Sequence, residues 1–119
     1  MAEYRLGEIE SKFAEIIWEN QPLTFRQLAD FALERLCWKR TTTYTVLKRL
    51  CDRGLFQNQG GTVTSLVSRE EFYALQSERF VEDTFGGSLP AFLAAFGSRK
   101  KLSDSEIREL QKVIDSMRG

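Results

Sequence analysis

Residues 38–54 read WKRTTTYTVLKRLCDRG, and on a 3.6-residue wheel they sort into two unlike sides. Thr43, Val46, Leu47 and Leu50 cluster on one side, the spacing of a helix face turned to a core. Thr41, Thr45 and Lys48 occupy the other, flanked by Thr42 and Arg49, with Tyr44 on the opposite flank. Short hydroxyls and long cations suit base edges and phosphates, and Asp52, at the far end, is the one carboxylate of the segment. An ordinary solvated helix face has the same residue types, so this stretch alone leaves both readings open. Its neighbours decide between them.

Upstream, residues 8–19, EIESKFAEIIWE, place Ile9, Phe13, Ile16 and Ile17 at the spacing of an amphipathic helix, which Asn20-Gln21-Pro22 then breaks. Trp18 falls just off that stripe and is expected to help cover the core. Thr24 followed by Gln27 is a capping-box pattern opening a second helix over TFRQLADFALERL. Leu28, Ala32 and Leu36 give its inner face, with Phe25 and Phe31 beside them as core rather than as a base-stacking platform. A short break near Cys37-Trp38-Lys39-Arg40 leads into the basic helix, and two helices so closely joined form a helix-turn-helix pattern. Gly54, after Arg53, is placed to close the third helix.

Downstream the period changes. LFQNQ, a Gly60-Gly61 pair and TVTSLV read as two short strands joined by a tight hairpin. Three helices followed by a hairpin is the order of a winged-helix domain, mainly α with a small β-hairpin. From Ser68, paired with Glu71 as another capping box, the chain turns helical again through Phe72, Leu75, Phe80, Val81 and Phe85 as far as Gly86-Gly87. Ser88 can cap a short helix with Pro90 in its first turn and Phe92, Leu93 and Phe96 as its apolar face. Ser103 and Glu106 open the final helix, Leu102 and Ile107 form a staple, and Ile107, Leu110, Ile114 and Met117 repeat along it.

Three such narrow stripes in roughly 50 residues are too little to fold alone. The spacing favours pairing with a second copy over packing back on the winged helix. The expected division is a winged-helix DNA-binding domain over 1–67 and a helical dimerisation arm over 68–119. The expected dimer surface is Phe72, Leu75, Phe85, Leu89, Phe92, Leu93, Phe96, Ile107, Leu110 and Ile114.

The formal net charge is zero, so bulk charge announces no polyanion partner. Yet residues 35–53 hold Arg35, Lys39, Arg40, Lys48, Arg49 and Arg53 against Asp52 alone, and phosphate attraction acts within about 10 Å at ordinary salt. Histidine is absent, which removes His-dependent triads, most zinc enzymes and the commonest general base. With no phosphate loop or nucleophile motif either, neither an enzyme nor a metal or cofactor is expected. Cys37 and Cys51 lack CxxC spacing and fit reduced thiols. No signal-like segment and no apolar run of about 20 residues occurs, so a cytoplasmic chain without membrane insertion is expected.

Four stretches carry a resemblance: Glu8 with the helix ending in Ile17-Trp18; Trp38 through Thr42 with Thr45, Arg49-Leu50 and Gly54; FGGSLPAFLAAF; and LSDSEIRELQKVID. In this order and spacing, from about Leu6 to Asp115, the chain resembles the penicillinase-repressor family of bacterial transcriptional regulators. The resemblance implies a homodimeric repressor of resistance or homeostasis genes, reading a dyad operator in double-stranded DNA through the third helix. Carried over, the DNA contacts fall on Thr41, Thr42, Thr45 and Arg49, with Arg49 suited to guanine or phosphate. Lys48 and Arg53 are expected on backbone phosphates, and Arg40 stands where the family often has proline.

Three departures qualify the transfer. The family's basic, tyrosine-rich wing is here the uncharged QNQGGTVTSLV. The copper-responsive branch ends in a cysteine-rich metal motif, whereas no cysteine follows Cys51, so copper sensing through such a tail is not expected. The β-lactam branch is cleaved at an Asn–Phe bond by a membrane sensor metalloprotease; Ala95-Phe96 occupies that place and retains only the phenylalanine. The neutral total charge and uncharged wing keep a second reading open, a winged-helix protein-interaction module without a DNA role.

Overall fold

In a computed structural model, which describes residues 5–118, the elements are α1 (Glu8–Asn20), β1 (Leu23–Thr24), α2 (Phe25–Leu36), α3 (Arg40–Asp52), β2 (Phe56–Gln59), β3 (Thr62–Ser65), α4 (Arg69–Phe85), α5 (Leu89–Arg99) and α6 (Asp104–Ser116). This is a winged helix followed by helices. Two compact units are present, the first ending at Arg79 and the second beginning at Phe80.

One face of each of the first three helices builds the core of the first unit. Phe13, Ala14, Ile16 and Ile17 of α1 meet Leu28 and Ala32 of α2, Val46, Leu47 and Leu50 of α3, and Phe56 and Val63 of the sheet. Ile9, in the first turn of α1, is left 48% exposed. Trp18 lies inside this core rather than beside it. Its Nε1 donates to the Val67 carbonyl at 3.0 Å, the partner a buried indole requires, and its ring is 5.5 Å from those of Phe56 and Phe72.

The start of α4 belongs with this core. Phe72 is fully buried, the Tyr73 hydroxyl donates to Glu15 at 3.0 Å, and Arg69 pairs with Glu15 and Glu19 of α1. Two expectations are corrected by this. Residues 69–79 go with the winged helix rather than with the arm, and Phe72 offers no surface to a second copy. A helical stripe shows that a residue is covered, not what covers it.

The sheet has three strands in the order β1-β3-β2. The hairpin pairs Phe56 with Ser65 through Gln59 with Thr62, and Gly60 and Gly61 turn it at φ 60° and 88°. Two successive positive φ values define the type I′ turn, which glycine enters without steric cost. β1 was not expected, since two residues show no alternation, but Leu23 pairs with Val63 and Thr24 with Thr62. Thr24 also caps α2 as expected, accepting from Gln27 N–H at 3.1 Å while Gln27 accepts from Thr24 N–H at 2.9 Å.

In the second unit, Ser88 accepts from the Ala91 N–H at the start of α5, and Ser103 and Glu106 cap α6 reciprocally. Phe80, Phe85 and Phe92 meet edge to face. No residue of α5 or α6 is buried. Between these two helices runs an apolar groove of about 470 Å³ lined by Phe92, Leu93, Phe96, Leu102, Leu110, Val113 and Ile114. Among the described residues, no helix is long and apolar enough to cross a membrane.

Candidate nucleic-acid interface

The turn before α3 is closed by Cys37 in the left-handed conformation, φ 57°, from which the Trp38 N–H reaches the Ala32 carbonyl at 3.3 Å. Glycine is the ordinary residue at such a helix end. α3 then buries Thr43, Val46, Leu47 and Leu50, the four residues its periodicity sets inward. The Thr43 hydroxyl, fully buried, donates to the Lys39 carbonyl at 3.2 Å, so burying it leaves no donor unpaired. At the other end Gly54, φ 82°, completes a Schellman closure: its N–H reaches the Cys51 carbonyl, and the Leu55 N–H the Leu50 carbonyl at 3.1 Å. Helix and wing are thereby joined through one buried residue, Leu55.

With the inner face so fixed, Arg40, Thr41, Thr42, Thr45, Lys48 and Arg49 are all exposed. Thr41, Thr42, Thr45, Val46 and Arg49 together line a shallow hollow of about 240 Å³. The Thr45 hydroxyl donates to the Thr41 carbonyl at 3.0 Å. Its proton is thus used within the helix, and its lone pairs are left to accept from a base amino group. The Arg40 guanidinium lies over the Phe25 ring, 5.5 Å from its centre, a cation–π contact that steadies it at the helix start.

Two cations of α3 have carboxylate partners on an open surface. Lys48 pairs with Asp52 at 3.6 Å, both side chains more than 60% exposed, and Arg49 reaches Glu10 at 3.5 Å while its own side chain is 55% exposed. The first pair, exposed on both sides, contributes little in water and yields readily to a phosphate, whereas the Glu10 of the second is only 23% exposed. Arg53 differs and corrects an expectation. Its side chain is only 17% exposed, held by Glu10 at 3.4 Å and by the Arg5 carbonyl. It fastens α3 to α1 instead of standing on the outer face, which its charge alone could not reveal. Nearby, burial and then the charge of Asp52 push the Cys51 thiol above its ordinary pKa, against a smaller opposing effect of Lys48.

Glu10 escaped the sequence reading. Its only local signal is its place three residues after Gly7, whose N–H it accepts at 3.1 Å. The wing tip, Asn58 through Thr62, is exposed and carries amides and a hydroxyl but no charge. Gln57, behind the tip, is held across the hairpin by donating to the Thr64 hydroxyl at 3.1 Å. Among the described residues no cluster of His, Cys, Asp or Glu could hold a metal ion.

The sequence profile of the penicillinase repressor family matches residues 6–116. The chain is also 22% identical over 116 residues to the methicillin resistance regulatory protein MecI of Mammaliicoccus sciuri and of Staphylococcus aureus strain N315, with 94% of each chain covered. A match running through winged helix and following helices alike, in a chain whose third helix leaves its hydroxyls and cations on the surface, makes this protein a member of the penicillinase-repressor family, a transcriptional repressor and not an enzyme.

Proposed function

We propose that the protein binds as a homodimer to a dyad operator in double-stranded DNA, α3 of each copy lying in the major groove, and so represses the adjoining resistance or homeostasis genes. The observation that carries this is the outer face of α3, where Thr41, Thr42, Thr45 and Arg49 surround one hollow opposite a fully packed inner face. Arg49 is assigned a guanine or phosphate contact, Thr42 and Thr45 base edges or phosphate, and Lys48 and Arg40 the backbone. Two copies read twice as many base pairs as one, which a single helix cannot match in discrimination.

The uncovered apolar residues of the second unit support pairing. Without Phe72, the surface assigned to it is Phe85, Leu89, Phe92, Leu93, Phe96, Ile107, Leu110 and Ile114 of that unit, with Leu75 from the end of the first. Operator binding would place the protein in the cytoplasm. Release by a membrane sensor metalloprotease would act at Ala95-Phe96, both exposed within α5, and would require an enzyme that accepts alanine before the bond.

Replacing Arg49 by alanine is expected to weaken operator binding by roughly 1–3 kcal/mol while leaving thermal unfolding nearly unchanged. Equal binding of both proteins to their own promoter DNA would sink the assignment of α3. The uncharged wing favours the second reading, a protein-interaction module. DNA affinity indifferent to salt would support it, since phosphate contacts release counterions.

A further inference from the structure

We infer that Glu10 is a positioning residue for Arg49 and sets how well the repressor distinguishes its operator from other DNA. The inference rests on the assignment of α3 to the major groove. Both oxygens of Glu10 are engaged: Oε1 accepts from the Gly7 N–H at 3.1 Å, and Oε2 faces Nη1 of Arg49 at 3.5 Å and Nη1 of Arg53 at 3.4 Å. Exposure is graded across the three side chains, 17% for Arg53, 23% for Glu10 and 55% for Arg49. Arg53 is also tied to the Arg5 carbonyl. The carboxylate therefore has a fixed foundation on one side and the exposed arginine on the other.

A carboxylate this near a DNA-facing cation opposes phosphate binding. Its second effect here is to hold Arg49. A guanidinium reads guanine only when its plane meets two acceptors together, whereas a phosphate accepts it from many directions. An arginine gripped at one nitrogen loses less freedom when the rest of its fork docks. Glu10 consequently acts on discrimination more than on total affinity, and its removal takes one negative charge away from the DNA side.

The variant to make is Glu10→Gln in the full chain. The amide oxygen can still accept from Gly7, but an NH2 group then faces two arginines that also donate only. The probes are a duplex selected by the wild-type protein from a random pool and a shuffled duplex of the same composition. Glu10→Gln is expected to lower the ratio of the two affinities about tenfold, with binding to the shuffled duplex equal or tighter. In an Arg49→Ala background it is expected to change the ratio no further. An unchanged ratio overturns the inference, as does an equal fall in both backgrounds, which would confine Glu10 to holding α1 and α3 together. An Arg49→Ala protein that discriminates as well as wild type removes the underlying assignment of α3 too, whereas a damaged Arg49→Ala beside an intact Glu10→Gln removes only this inference.

Discussion

α2 and α6 begin alike, with Thr24 and Gln27 closing a reciprocal cap on one and Ser103 and Glu106 on the other. Both then carry an apolar stripe. α2 buries Leu28, Ala29 and Ala32, whereas Ile107, Val113 and Ile114 of α6, and Met117 directly after it, remain 41% to 63% exposed. Caps and stripes are local properties and form wherever the sequence provides them. Burial needs a neighbour, and a helix draws most of its stability from that packing. The first unit contains its own neighbours, so the site on α3 stands on a finished core. The second has well-formed helices whose apolar face is uncovered, and its stability should depend on association.

The sharpest way to break this contrast is Phe72→Ala. The residue is fully buried against Trp18, so the loss should be about 3–5 kcal/mol, read as a lower denaturant midpoint followed by tryptophan emission. A loss under about 1 kcal/mol would return Phe72 to the arm. Next in size is Ile114→Glu, which puts a charge into the groove between α5 and α6. If that groove closes against a second copy, sedimentation should show dimerisation weakened roughly a hundredfold, about 2–3 kcal/mol, with unfolding of the winged helix unmoved. A dimer of undiminished strength would place the interface elsewhere. The smallest effect compares the two caps. Thr24→Ala and Ser103→Ala should each cost about 1 kcal/mol. The first loss should be the same at every protein concentration, and the second should grow as dilution separates the copies. Identical concentration dependence would erase the difference between the units.

What the residues disclosed in advance follows the same division between local and distant. The inner face of α3 was legible because Thr43, Val46, Leu47 and Leu50 repeat at the helical period. The Gly60-Gly61 turn was legible because few residues accept two positive φ values in succession. Thr41, Thr42, Thr45, Lys48 and Arg49 were placed on the outer side by the same wheel. Apart from Ile9, left exposed in the first turn of α1, the failures concern partners far along the chain. Glu10 and Arg53 are 43 positions apart, and no period relates them. Phe72 covers Trp18 from another helix, so its stripe looked like part of the arm. β1 is too short to have a pattern, and only its pairing with β3 defines it.

That pairing has a consequence for how the repressor is made. Leu23 and Val63 lie 40 residues apart, and both are buried in the one core cluster. Contacts between distant residues form late, after local helices have appeared. As the chain emerges from the ribosome, α3 is complete before the strand that finishes its platform has been synthesised. A growing chain that stops short of Thr62 holds α3 without the strand that completes its core. A chain cut before Thr62 should therefore unfold well before the full chain, because the last strand of the wing closes the core on which α3 is seated.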